Sequence, residues 1–215
     1  MNSGVADDLY YEKDYLARDW TNYLWLVSQA KSLSTQGKVV DLGCGLGFLV
    51  EAFNNSGYEC IGVEGSEAGV RIAKSRNKDL NIIHQMLSER LPFQDNSVQI
   101  VILYQVIEHL ESAVQKKCIS EAYRILNKGG VIIIHAPSKY NIKEWNDDPT
   151  HINLLSLSEL SVLLKSSGFH SFIELNSALL YILGEGRIAK KIINKIYRVF
   201  KPQWLLANSS LAAYK

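Results

Sequence analysis

The stretch VVDLGCGLGFLVEAF, Val39 to Phe53, runs an apolar strand into Gly43, Gly45 and Gly47 and then into an apolar-periodic helix. A strand that turns this sharply into a helix opens a strand-helix-strand unit, with the glycines supplying backbone conformations that other residues resist. This feature commits the chain to a parallel sheet covered by helices.

The rest of the sequence keeps that alternation. Trp20, Tyr23, Leu24 and Val27 recur at helical spacing and predict an amphipathic helix ending near Gly37. KVVDL is the first strand, and a helix from about Phe48 should stop at Gly57. YECIGVE follows as strand two, Ser66 caps the next helix, and NIIHQML is strand three. VQIVILYQV is nearly continuous apolar, as a central strand buried on both faces should be. A helix from about Ser112 to Leu126 ends at Asn127 to Gly130, before VIIIHAP as strand five. Ser156 and Glu159 form a capping box, FHSFIEL is strand six, and SSLAAY is a candidate seventh strand. With 215 residues, 47% of them hydrophobic, the expectation is a single domain. Its parts are an N-terminal cap and helix (1–37), a core (38–175), a helical insertion (176–203) and a last strand (204–215).

The spacing of the turn argues against phosphate cofactors. A dinucleotide fold wants G-x-G-x-x-G, and Phe48 occupies the third glycine's place. Asp41, two residues before Gly43, would repel a pyrophosphate and attract an ammonium or sulfonium. No G-x-x-x-x-G-K-[ST] is present for a nucleotide triphosphate. Glu64 ends strand two, 23 residues after Asp41, where a carboxylate accepts hydrogen bonds from ribose hydroxyls. A ribose without pyrophosphate, joined to a cationic tail, describes S-adenosyl-L-methionine. The glycines also fit a tight turn with no ligand.

VVDLGCGLGFLVEAF, IGVEGS, ERLPFQDNSVQIVILYQVIEHL, RILNKGGVIIIHAPS and DPTHINLLSLSELSVLLKSSGF, in that order, resemble the class I S-adenosylmethionine-dependent methyltransferases, in particular the broad small-molecule group. The resemblance covers about Tyr10 to Phe169. It implies a seven-stranded Rossmann-like α/β sheet, mostly parallel with an antiparallel last strand, and helices on both faces. It implies that Asp41, Gly43, Cys44 and Gly45 surround the methionine part, that Glu64 and Gly65 hold the ribose, and that Leu87 and Ser88 lie by the adenine. The usual acid is missing at Leu87, so the adenine amino group is expected on backbone. Val98 and Gln99 replace the family's Phe-Asp, a change expected to affect packing. Tyr104, Gln105 and His109 are expected at the methyl-bearing side. Some ubiquinone-pathway relatives carry E-x-x-E-H here with a divalent metal, but Gln105 replaces the first glutamate, so no metal is expected. His109 is equally readable as a helix-start residue satisfied by backbone.

Transfer to a hydroxyl needs a proton acceptor, and His151 in WNDDPTHIN is the candidate, since loops at that edge of such sheets carry function. The competing reading is that His151 ties down its loop. His135, inside strand five, is expected to be a core or strand-end histidine. Tyr10, Tyr11 and Tyr15 are candidates for closing over the cofactor or for ordinary packing. RIAKKIINKIYRVFK, Arg187 to Lys201, holds six positive and no negative charges in a chain whose net charge is only +1. Its apolar and basic residues fall on opposite halves of a helical wheel. A lid, a membrane-interface surface across 187–205 (with Trp204 and Leu205) and a clamp for an anionic substrate all fit. Too few aromatics interleave for nucleic acid. An acidic first twenty residues, no bilayer-length apolar run and three cysteines without CxxC spacing lead to a cytoplasmic expectation. The activity expected is methyl transfer to a small or lipid- or sugar-linked acceptor, preferably at oxygen. A catalytically silent binding protein and, less favoured, an NAD-dependent oxidoreductase are the alternatives.

Overall fold

The computed structural model describes residues 18–34, 36–175, 191–193, 195–197, 202–203 and 206–215. Seven strands form one sheet: β1 (Val39–Leu42), β2 (Cys60–Glu64), β3 (Ile82–His84), β4 (Val98–Tyr104), β5 (Leu126–Pro137), β6 (His170–Glu174) and β7 (Asn208–Tyr214). Their order is 3-2-1-4-5-7-6. β1 pairs in parallel with β2 and β4, while β7 runs antiparallel between β5 and β6. Sequence and structure agree on this arrangement, including the reversed last strand.

Burial on both faces explains the apolar runs. In β4, Val101 and Leu103 join one core while Ile100 and Ile102 join the other, and in β5 Ile132 and Ile134 oppose Val131 and Ile133. One layer packs α4 (Ser112–Ile125) and α6 (Leu157–Ser166) through Ile119, Ala122, Leu160 and Leu164. The other packs α1 (Leu24–Leu33), α2 (Phe48–Asn55) and α3 (Glu67–Arg76) through Leu26, Ala30, Phe53 and Ala73. Each fully buried aliphatic side chain is worth about 1.5–3 kcal/mol, so these central strands, rather than the loops, hold the fold. The short α5 (Ile142–Asp147) follows β5.

Helix termini mostly follow the sequence signals. Ser66 Oγ accepts from Gly69 N, the Ser156–Glu159 capping box forms, and Gly57 takes a φ of 85°. Three details differ. α1 ends at Leu33, where Ser34 turns extended, and Gly37 serves close approach instead: a Cβ there would meet the Gln99 Cβ at 2.4 Å. Leu24 is exposed, the buried stripe running instead through Tyr23, Leu26, Val27 and Ala30. β5 begins at Leu126 without a loop, and the register shift opposite Val98 and Ile100 takes up the extra residues.

Gln99 also donates to Ser34 Oγ at 3.0 Å, a packing role as the sequence leads one to expect. In the basic segment, 191–193 and 195–197 are helical. Ile193 is buried, but Ile192 and Ile196 are exposed, so the covered stripe is narrower than the apolar half-wheel. Tyr197 donates to the Glu174 carboxylate. Tyr10, Tyr11, Tyr15, Arg187, Lys201, Trp204 and Leu205 lie outside the described residues. Among the described residues, no helix is long and apolar enough to cross a membrane.

Candidate active site

The glycine turn joins β1 to α2 at the point where the strand order reverses, between β1 and β4, which is where open α/β sheets bind ligands. Gly43 N and Cys44 N donate to Val63 O at 2.7 and 3.1 Å, locking the turn to β2. Glu64 clamps it again: Oε2 accepts from Gly45 N and Oε1 from Ser66 N, both at 2.8 Å. Gly43 is obligatory twice over, with a φ of 78° and a virtual Cβ only 2.6 Å from the Val106 side chain. Gly47, at φ 74°, caps α2 in the left-handed region and offers no side chain, so the first N–H groups of that helix have no side-chain cap.

The turn forms the floor of a cleft that opens to solvent. Arg18, Tyr23, Asp41, Gly43, Cys44, Gly45, Phe48, Tyr104 and Gln105 contribute to its lining. Asp41 is only 2% exposed. Burial, reinforced by the nearby Glu64 charge, pushes its carboxyl up to about 8, so a cation arriving in the cleft would restore its ionised form. Arg18 brings the positive charge of the lining.

Phe48 accounts for the missing third glycine. Its ring lies 4.1 Å beneath the Arg76 guanidinium and stacks at 6.4 Å on Tyr23, so a side chain fills the place where the dinucleotide turn needs a glycine for close helix–strand packing. Arg76 is fixed by Glu51 at 2.5 Å and by Leu46 O at 3.1 Å. Tyr104 meets Tyr23 and Trp25 edge-on, at 5.8 and 6.0 Å between ring centroids, and Tyr23 and Tyr104 give the cleft an aromatic wall. His135, beside that wall, is bonded through Nε2 to Gln29 Oε1 at 2.7 Å and through Nδ1 to Ser210 Oγ at 3.0 Å. Burial pushes it down to about 4, so at neutral pH it is a neutral strand-end histidine.

Beyond β4 the chain is bent. Gln105 sits at φ 56° with its N–H on His135 O at 2.8 Å, a left-handed conformation that costs a non-glycine residue about 1 kcal/mol or more. A 3-10 turn, Ile107–His109, follows. It is tied to the loop after α5: Ile152 N and Asn153 N both donate to Glu108 O at 3.0 Å, and Gln115 Nε2 bridges Ile107 O and Asn153 O. The His109 and His151 rings face each other at 4.8 Å, tilted by 46°. His109 Nδ1 lies 3.1 Å from Thr150 O, and a carbonyl can only accept, so this nitrogen carries the proton. Burial lowers the His109 pKa, partly opposed by that bond, and the neighbouring His151 lowers it further. His151 Nε2 is 3.7 Å from Asp148 Oδ2.

Of the residues singled out in the sequence, Asp41, Gly43, Cys44, Gly45, Tyr104 and Gln105 line the cleft together. Glu64 stands directly behind the turn, and Gly65 O contacts His84 Nε2 at 3.1 Å. Leu87 is buried in the core and Ser88 is exposed; neither belongs to the described lining. His109 and His151 form a second cluster with Glu108. Sequence reasoning missed Arg18 and Tyr23, which reach the cleft from a segment with no motif. It also missed the pairing of His109 with His151, for which spacing gives no signal.

A family model described as a methyltransferase domain matches residues 40–134. A Mycolicibacterium smegmatis protein named as a probable S-adenosylmethionine-dependent methyltransferase is 34% identical over 134 residues, which is 61% of this chain and 51% of the relative. The uncharacterized methyltransferase YcgJ of Bacillus subtilis is 26% identical over 157 residues, 67% of this chain and 61% of its own. The chain thus spans about half the length of the first of these relatives and somewhat more of the second. The crystal structure of a SAM dependent methyltransferase from Archaeoglobus fulgidus has the same fold, with a TM-score of 0.73 at 19% identity, covering 97% of this chain and 100% of that one.

Proposed function

We propose, on the premise that this chain belongs to the class I S-adenosylmethionine-dependent methyltransferases, that it binds S-adenosylmethionine in the cleft and moves its methyl group to an acceptor oxygen. The observation that carries the reading is the meeting, in one cleft, of the buried Asp41 carboxylate with a glycine turn closed off by Phe48. Asp41 suits the ammonium and sulfonium of the methionine part. Arg18 and the uncapped N–H groups of α2 suit its carboxylate. Glu64 already accepts from Gly45 and Ser66, and a carboxylate has about four acceptor sites, so ribose hydroxyls are compatible with its structural work. Leu87 and Ser88 are assigned to the adenine on family position.

Bound there, the sulfonium supplies an activated methyl for in-line displacement. The chain's own residues orient it: the glycine turn fixes the tail, and the Tyr23 and Tyr104 wall leaves positive charge poorly solvated. The acceptor hydroxyl's proton has a destination in the His109–His151 pair, which keeps His151 as the candidate proton acceptor. For the acceptor we favour a small molecule bearing a lipid or sugar, because exposed Ile192 and Ile196 lie beside exposed Lys191 and Lys195.

Calorimetric titration with S-adenosylhomocysteine and with NAD tests the cofactor. Saturable binding of the first and none of the second is expected; tighter NAD binding would sink the reading. A labelled-methyl assay against hydroxyl, amine and lipid-linked acceptors then tests the reaction. Cofactor binding with no transfer to any of them moves the protein to a silent binding role. If replacing Lys191 and Lys195 by Gln left both liposome binding and transfer unchanged, the lipid part of the proposal would be abandoned.

A further inference from the structure

We propose that Glu108, His109 and His151 form a binding site for one divalent transition-metal ion. One potential ligand atom from each residue lies within 4.8 Å of the others, although His109 and His151 are 42 positions apart in sequence. Two imidazoles and a carboxylate are the donor set that zinc, cobalt and related ions accept, whereas magnesium and calcium prefer oxygen alone. Ligand atoms about 2.0–2.1 Å from a tetrahedral zinc stand roughly 3.4 Å apart, somewhat closer than the 4.8 Å within which the three atoms lie here.

The surroundings are built as such sites are. Metal-bound histidines usually donate their other ring N–H to a backbone carbonyl or a carboxylate. His109 Nδ1 does this to Thr150 O at 3.1 Å, which leaves its Nε2 lone pair for an ion. That Nε2 is 4.0 Å from Glu108 Oε1. Glu108 is fully buried and His151 is 8% exposed, and a carboxylate in such a place is favoured by positive charge beside it. The loop carrying His151 is held against the 3-10 turn by the bonds from Ile152 and Asn153 to Glu108 O and by the Gln115 bridge, so the site is assembled before any ion arrives. Asp148 accepts from Thr150 Oγ1 at 2.5 Å and stiffens the same loop.

Gln105 led the sequence reading to expect no metal. The tertiary structure supplies a ligand from elsewhere, with His151 doing the work of the missing carboxylate. Three protein ligands leave a fourth position open. Occupied, the cluster would turn from proton acceptor to Lewis acid, lowering the pKa of a coordinated acceptor hydroxyl. That role depends on the O-methylation reading; the binding site does not.

The test uses the full chain, stripped with a chelator and titrated with Zn²⁺ against a chromophoric competitor, and with Co²⁺ as a spectroscopic reporter. One ion per chain is expected, with a nitrogen- and oxygen-ligated cobalt spectrum. His151→Ala and the near-isosteric His151→Asn should each weaken binding at least about tenfold, and Cys44→Ser should not. Circular dichroism and thermal melting identify any variant that fails to fold, and His151→Asn guards against that outcome. Absence of saturable one-to-one binding, undiminished affinity in folded His151→Asn, or a thiolate-to-cobalt band that disappears in Cys44→Ser would each overturn the proposal. Methyl transfer is measured separately: transfer by the stripped chain defeats the Lewis-acid role alone, and a bound ion without transfer defeats the functional reading alone.

Discussion

The floor of the cleft and its rim beyond β4 are built on different principles. The floor uses residues 41 to 66, joined by bonds between neighbouring strand ends, with Glu64 clamping Gly45 and Ser66. The rim joins residues 105–109 to residues 148–153 through backbone carbonyls and a histidine pair. The floor is therefore a local motif, and the rim exists only once the sheet has brought two distant loops together. The two meet where Gly43 packs on Val106.

Breaking that junction should have the largest effect. Gly43→Ala forces a side chain into the left-handed region and onto Val106, and should destabilise the protein by about 2–4 kcal/mol in chemical denaturation. Adding Val106→Ala relieves the clash but leaves the strain, so partial recovery is expected. Full additivity of the two losses would show that floor and rim are not coupled there.

Asp41→Asn tests the floor alone. Losing a charged partner worth about 1.5–3 kcal/mol should weaken S-adenosylhomocysteine binding roughly 10- to 100-fold. The pH dependence follows from the sign of the shift. The folded pKa, about 8, lies above the ordinary carboxylate value, so the empty protein is most stable relative to its unfolded state at low pH and loses that advantage as pH rises toward 8. Binding a cation needs the ionised form, so affinity should rise over the same range. Asp41→Asn should flatten both profiles, and persistence of either in the variant would assign the titration elsewhere.

Thr150→Val tests the rim. It removes the hydroxyl that donates to Asp148 Oδ1 while keeping the carbonyl behind His109, at an expected cost of about 1 kcal/mol. S-adenosylhomocysteine affinity should stay the same; a parallel loss would mean that the two regions act as one. Smallest of all, Lys143→Ala deletes an exposed pair with Asp147, 4.0 Å apart, and melting should register less than about 0.5 kcal/mol.

Much of this architecture was readable in advance because its causes are local. The strands β4 and β5 announced themselves by continuous apolar runs, the caps at Ser66 and Ser156 by side chains that satisfy nearby N–H groups, and the reversed β7 by family likeness. The start of β5 was misjudged because Asn127 to Gly130 reads as a helix stop, whereas the pairing with β4 absorbs it as an irregularity. Gln105 carries no sign of its positive φ, since nothing in its side chain requires it.

By itself, the sequence determined the sheet and the glycine turn, since the apolar strand runs and Gly43, Gly45 and Gly47 act through short, fixed spacings. Only the tertiary structure decided that Arg18 and Tyr23 complete the cleft and that His151 stands beside His109 and Glu108. Those contacts join segments far apart along the chain, and their geometry is set by how the loops pack at the end of the sheet, which residue spacing does not encode.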